Sequence, residues 1–268
     1  MSMPPSYAAA ASIPPRTFVR YTSRMDEVRP LGRKAYGSIP HLPGSRTGPS
    51  DRHLDPRRAE WLVTRAPSDA TVIVQEKLDG SCVAIARLGE RVLALGRAGD
   101  LAERSRNPAR QQFARWVERE AARFRAVLAD GERLIGEWLG LAHGTRYALA
   151  HEPLVAFERM RGDRRALHDE LAACARAAEL PTPHLVHRGG ALPVEDALAR
   201  LGAGGHGALD PVEGVVYRLE RGGEVIVVAK HVRSDKVDGH LLPENSGREA
   251  IWNWTEGSSP FHRIERSS

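Results

Sequence analysis

Hydrophobic and polar positions along the chain predict its elements. Thr71-Val72-Ile73-Val74 is a β-branched apolar run, which predicts a strand over residues 71–74. Alternation from Cys82 to Arg87 predicts a second strand, and Gly89-Glu90 turns the chain into a third over 91–95. Asn107 then stands as a helix cap, with Pro108 at the first helical position. Phe113, Trp116, Val117, Phe124, Val127 and Leu128 recur at helical spacing, and Gly131 ends the run. Further strands are expected at 133–139 and 153–159, helices at 167–180 and 194–201, and two late strands at 212–219 and 224–232. The strands come in hairpin-like groups with helices between them. That pattern predicts an α+β fold of antiparallel sheets with flanking helices, not a doubly wound parallel sheet.

The remaining segments lack periodicity. Residues 29–55 are rich in Pro, Gly, Ser, Arg and His, which predicts a loop. It is long for a structureless connection, and long loops are often functional. Residues 1–15 hold alanines between proline pairs, without the basic stretch and apolar core of a signal peptide. We read 1–16 as a flexible leader and 17–268 as a single domain. The chain of 268 residues is 41% hydrophobic, enough for a packed core, and carries a net charge of +5. That modest excess permits a polyanionic partner without demanding one. Two cysteines make neither a disulfide framework nor a zinc site, and no apolar run is long enough to span a membrane. A cytoplasmic protein without a membrane partner is the expectation.

The candidate chemistry begins at Glu76-Lys77-Leu78-Asp79-Gly80, where a lysine follows an apolar strand and precedes a glycine turn. Alone, Lys-x-Asp-Gly arises readily by chance. It is followed in order by Arg97-Ala98-Gly99, Gly136-Glu137-Trp138-Leu139-Gly140, Phe157-Glu158, Glu213-Gly214-Val215-Val216-Tyr217-Arg218 and Ala229-Lys230-His231-Val232-Arg233. The ordered set, spanning residues 71–239, resembles the covalent nucleotidyltransferase superfamily of DNA ligases, RNA ligases and capping enzymes. Within it the chain looks most like ATP-dependent RNA ligases of the phage nick-sealing and RNA-editing type. Trp138-Leu139 with His143 and Tyr147 following, and the His41-Leu42-Pro43-Gly44-Ser45 loop, also resemble bacterial RNA ligase-like proteins.

The resemblance implies a nucleotidyltransferase domain, ATP-grasp-like in fold, that carries AMP covalently on Lys77. AMP would pass to an RNA 5′-phosphate, and a 3′-hydroxyl would displace it. The implied cofactors are ATP and Mg²⁺ or Mn²⁺. The implied catalytic residues are Lys77, Lys230 and Glu213, with Glu213 near the metal. Nucleotide contacts would come from Glu76, Lys77, Arg97, Glu137, Phe157, Glu213, Arg218 and Lys230: Glu137 on the ribose, Phe157 stacked on adenine, Glu76 beside the adenine pocket. A free lysine is almost wholly protonated at neutral pH, so nearby cations such as Lys230 and Arg218, and the metal, are expected to lower its pKa.

Two positions depart from the pattern. DNA ligases and capping enzymes usually have arginine, and RNA ligases often asparagine, where this chain has Cys82. Val228 stands where phage-type ligases have a lysine, so Arg233 or Arg218 substitutes or phosphate binding weakens. His143 and His231 lie near motifs, but lone histidines are more often structural or solvated. Only a short stretch follows Gly239, with Trp252 and Trp254, too short for an appended OB domain. The expected weakness is therefore grip on RNA, supplied by loop arginines Arg46, Arg52, Arg57 and Arg58, by a protein partner or by a structured RNA. The alternatives are a DNA ligase or capping-type enzyme, or an inactive ligase fold that binds RNA ends.

Overall fold

The computed structural model describes residues 29–257. The expected leader at 1–16 lies outside the described residues. Two antiparallel sheets organise the chain. The first has the order β7-β1-β8-β9, from Leu185–Gly189 (β7), Ala70–Lys77 (β1), Gly214–Arg221 (β8) and Glu224–Val232 (β9). The second has the order β3-β2-β4-β5-β6, from Arg91–Gly96 (β3), Ser81–Leu88 (β2), Glu132–Trp138 (β4), Leu154–Arg161 (β5) and Arg164–Arg165 (β6). The α+β expectation therefore holds.

β1 ends in the first sheet and β2 begins in the second, so Leu78-Asp79-Gly80 is the crossover between them. Gly80 is needed there for close approach. A Cβ on it would lie 2.6 Å from the Trp138 carbonyl oxygen at the end of β4. The glycine of the Lys-x-Asp-Gly turn thus lets the crossover pass tightly under the second sheet.

Each sheet has its own apolar layer. Helices Pro108–Arg119 (α2), Ala121–Val127 (α3) and His168–Ala177 (α4) cover the second sheet, burying Phe113, Trp116, Phe124 and Trp138. The first sheet packs Val72, Val74, Tyr217 and Leu219 against Leu62 of Pro56–Val63 (α1) and Leu201 of Val194–Leu201 (α5). α2 begins as expected: the Asn107 side chain accepts from the Ala109 and Arg110 amides, with Pro108 following. The single helical run to Gly131 breaks at Glu120, because the apolar face must turn for Phe124 to reach Trp116. Gly131 lies in the turn before β4 with φ 76°.

Several elements escaped the periodicity, among them α1, β7 and β6. α1 follows Asp55-Pro56, a cap and first-turn pair; the Asp55 side chain accepts from the Arg58 amide. β7 is a short edge strand with little burial, so it shows no alternation. β6 has only two residues. The loop at 40–46 is also more ordered than its composition predicts. It lies along the free edge of β9: Lys230 N–H donates to Pro40 O at 3.0 Å, Leu42 N–H to Lys230 O at 2.8 Å, and Arg46 N–H to Val232 O at 3.0 Å. Leu42 is fully buried in the first core.

The stretch of residues 240–257 packs against the rest of the chain. It includes a short helix, Pro243–Ser246 (α6), and then returns across the second sheet. Trp254 packs edge-on against Trp138 with centroids 5.8 Å apart, and the Asn253 side chain bridges the Leu139 carbonyl and the Tyr147 amide.

Candidate active site

A cavity of about 650 Å³ opens between the sheets, within the usual range for small-ligand sites. Lys77, Glu137, Phe157, Glu213, Arg97 and Lys230 all line it, so positions spread over more than 150 residues of sequence converge. The register explains the convergence. In the first sheet Lys77 pairs with Gly214, which pairs with Val232; two rows away, on the same face, Gln75 pairs with Val216, which pairs with Lys230.

Lys77 Nζ donates to Glu213 Oε2 at 2.5 Å and to its neighbour Leu78 O at 3.4 Å. Glu137 Oε1 accepts from the Gly80 amide at 3.1 Å. The crossover turn is held from below. Asp79 N–H donates to the Tyr147 hydroxyl at 3.1 Å, and Lys236 Nζ sits 3.3 Å from Asp79 Oδ2. Lys236 is buried, and also donates to Gly144 O at 2.8 Å, to Pro211 O at 3.2 Å and to the Thr145 hydroxyl. Sequence reasoning missed it; a lysine in an irregular segment gives no sign that it will be buried.

Electrostatics differ from expectation at the lysine. Burial works to lower the pKa of Lys77, but the carboxylates of Glu213, Glu137 and Asp79 outweigh it and hold the ammonium above its ordinary value. The expected lowering is thus not present in the free protein. Burial also raises Glu213. For Glu137, burial dominates, with Glu213 and Asp79 adding repulsion, and its carboxyl is pushed up to about 8 from 4.5.

The Glu137 shift has a stability consequence. Below pH 4.5 folded and unfolded chains both carry the proton. Between 4.5 and about 8 the unfolded chain releases it and the folded chain keeps it, so stability falls as pH rises through that window. Glu137→Gln removes this loss. The variant should melt a few degrees above the wild type at pH 8, on the order of 1–3 kcal/mol, and the gain should vanish near the ordinary carboxyl pKa. Thermal melts across that range check it; a gain that grows toward acid would contradict the assignment.

Phe157 meets Tyr36 edge-on, with centroids 5.3 Å apart, and lines the cavity beside Val216 and Val228. This is the apolar end. Glu76 also lines the cavity, but its carboxylate turns to the Gly205 amide at 2.8 Å, so only its backbone is left to border a ligand. Arg218 is committed: it donates to Glu158 Oε1 at 2.6 Å and to Ala166 O at 2.9 Å, and is almost wholly buried. Arg233 is bound to Asp235 at 2.8 Å. Arg218 nevertheless lines the cavity, directly across from Val228 on the neighbouring strand, whereas Arg233 does not line it.

Lys230 and Arg97 make no side-chain hydrogen bond or ion pair among the described residues. Burial and the nearby Lys77 ammonium lower the pKa of Lys230. Arg110, one turn into α2, is a third such cation on the cavity wall, and sequence reasoning missed it. Its guanidinium lies under Gly96, where a Cβ would be 3.5 Å away. Cys82 lines the cavity too; burial, foremost, raises its thiol pKa, while Arg97 and Arg110 are near enough to act against the rise. His143 Nε2 lies 3.2 Å from Ser81 Oγ on the cavity wall, whereas His231 is buried away from it. Among the described residues no three His, Cys, Asp or Glu side chains converge as a metal cluster.

The loop arginines do not form one surface. Arg46 lines the cavity. Arg52 donates to Ser38 O at 3.0 Å, and Arg57 and Arg58 belong to α1, with Arg57 packed 6.0 Å over the Trp61 ring. Among the described residues no helix is long and apolar enough to cross a membrane.

No curated protein sequence matches the chain. Among solved structures, a Naegleria gruberi RNA ligase mutant without ligand is similar in fold, with TM-score 0.50, 14% identity, and coverage of 80% of this chain and 58% of that one. An archaeal ATP-dependent RNA ligase gives TM-score 0.48 at 21% identity, covering 74% of this chain and 48% of that one. The chain therefore spans about half the length of these relatives. The family model for RNA ligase matches residues 70–232, from the first residue of β1 to the last of β9. That match covers more than half of the chain, so the chain belongs to the RNA ligase family.

Proposed function

We propose that the chain is an ATP-dependent RNA ligase that charges itself with AMP on Lys77. The observation that carries this reading is Lys77 at the crossover between the sheets, facing a cavity walled by the unpaired cations Arg97 and Lys230. Such a lysine can attack phosphorus only as the free amine. Glu213 Oε2, at 2.5 Å, is placed to take the proton. The Nζ lone pair forms the N–P bond to the α-phosphorus. The bond to the bridging oxygen breaks, and its electron pair leaves with pyrophosphate. Lys230 and Arg97 offset the charge on the phosphate oxygens. Phe157 and Val216 offer apolar faces for the adenine, and Glu137 stands toward the ribose. AMP then passes to an RNA 5′-phosphate, and the 3′-hydroxyl of a second strand displaces it. Each step is in-line displacement, where positioning and charge do most of the work.

Glu213 fits as a single carboxylate ligand for Mg²⁺ or Mn²⁺. Hard cations in phosphoryl-transfer sites take one or two carboxylates and complete their shell with phosphate oxygens and water, which is consistent with this donor set. When bound, such an ion supplies positive charge against the phosphate oxygens.

The test is incubation with α-labelled ATP or GTP and a divalent cation, then denaturing electrophoresis, with a 5′-phosphorylated nicked RNA in parallel. Label from ATP alone, and a sealed RNA strand, are expected. Label from GTP would favour a capping-type enzyme, sealing of nicked DNA alone a DNA ligase, and no label with either nucleotide an inactive RNA-end binder.

A further inference from the structure

Val228 stands beside Lys230 without a charge of its own; Arg218, directly across from it on β8 and on the cavity wall, has its guanidinium engaged by Glu158, and Arg233 does not line the cavity. Another cation lines the cavity on the other side of Lys230, toward Val232. The segment at 40–46 bonds to the edge of β9 at Lys230, turns, and bonds again at Val232, and Arg46 follows its buried anchor Leu42 by four residues. Lys77, Gly214 and Val232 form one row across the first sheet, and the Arg46 amide bonds to Val232 O, extending that row. Lys77 and Arg46 thus stand at opposite ends of it, three strand spacings or roughly 14 Å apart. Lys230 lies between them, two rows away, on β9.

In-line attack fixes what must lie at the far end. With Nζ of Lys77 on one side of the α-phosphorus, the leaving oxygen departs on the other, carrying the β- and γ-phosphates away from β1. The direction open to them leads across β8 and β9 toward Lys230 and Arg46. The segment is braced for such a load. The Ser45 hydroxyl accepts from the Val232 amide at 2.9 Å, His41 Nδ1 lies 2.7 Å from that hydroxyl, and Asp51 Oδ2 accepts from the Gly48 amide at 2.9 Å. In the free protein Arg46 Nη1 is 4.0 Å from Asp238 Oδ1, too long for a committed hydrogen bond, and its side chain remains partly exposed at the cavity wall.

We propose that Arg46, acting with Lys230, binds the β,γ-diphosphate of ATP and the departing pyrophosphate. This rests on reading the cavity as an ATP site. It assigns the arginine to nucleotide and not to RNA, dividing it from Arg52, Arg57 and Arg58. A guanidinium suits the role because it can grip two phosphate oxygens at once.

The experiment compares wild type, Arg46→Ala and Arg46→Lys in three assays. These are KM for ATP in covalent labelling, calorimetric titration with inorganic pyrophosphate, and sealing of a pre-adenylylated RNA strand without ATP. Arg46→Ala should raise KM and weaken pyrophosphate binding about tenfold or more, the loss of one charge-assisted contact pair. Arg46→Lys should fall between. Sealing of pre-adenylylated RNA should stay within about twofold, since no pyrophosphate is present in that step. The backbone bond from Arg46 to Val232 survives either substitution, and thermal melts verify the fold. Unchanged pyrophosphate affinity would overturn the proposal. So would an equal loss in sealing of pre-adenylylated RNA, which would make Arg46 part of an RNA-binding arm. Should wild type form no covalent label, the enzyme reading fails, and the pyrophosphate titration still decides the role of Arg46.

Discussion

Lys77→Ala should lose all covalent labelling by α-labelled ATP while still sealing a pre-adenylylated RNA strand at a measurable rate. The two halves have different causes. The label needs an amine at the crossover turn, and among the described residues the other lysine on the cavity wall, Lys230, stands two strands away on β9. Sealing of pre-adenylylated RNA needs no amine, because AMP already sits on the strand and a hydroxyl is the attacking group. Lys77→Arg should fail in labelling as well, since guanidinium stays protonated. Removing Lys77 leaves Glu213 buried without its partner. Burial already raises the pKa of that carboxyl, so protonation offers relief, and circular dichroism should report a folded chain. Label that persists on Lys77→Ala would move the nucleophile elsewhere.

The largest expected effect on stability lies beside the cavity, at Glu158. Its carboxylate is almost completely buried and accepts from Arg218 at 2.6 Å and from Arg165. Arg218 is itself buried, with only Ala166 O at 2.9 Å and Glu220 at 3.6 Å as further partners. Glu158→Leu would strand two guanidinium groups, one of them deep in the interior. Breaking a buried pair from one side typically costs about 3–5 kcal/mol, so the melting temperature should fall by roughly 10 °C. Replacing both partners, Glu158→Leu with Arg218→Met, should recover part of that loss, because no charge is then left unpaired. Thermal melts of the two single variants and the double variant check this. A double variant as unstable as the sum of the singles would mean that the pair contributes nothing as a pair.

The parts legible in the sequence are those where local pattern and tertiary packing agree. Strands β1 to β5, β8 and β9 are apolar on at least one face and carry turn signals, so their positions could be read. The Asn107-Pro108 cap marked α2 for the same reason. β7 and α1 could not be read in this way: one is a little-buried edge strand, and the other is a short helix with only Ala59 and Leu62 buried. Within the site, Lys77, Glu137, Phe157, Glu213 and Lys230 could be placed together because they share strand ends whose order resembles a known set. Arg218 shows the limit of that method. Its position on β8 could be inferred, but its commitment to Glu158 depends on β5, more than 50 residues away. Lys236, Arg110 and Arg46 lie outside the motifs. Each gains its place from a contact between distant segments, which no spacing along the chain encodes.

The central claim is that Lys77 becomes covalently attached to AMP. The most direct measurement is mass spectrometry of the intact protein and its proteolytic peptides after incubation with ATP and a divalent cation, under conditions that preserve phosphoramidates. The account predicts a mass increase of one AMP, located on the peptide containing Lys77 and reversed by added pyrophosphate. An adduct on any other peptide, or none on wild type that binds ATP, would contradict it.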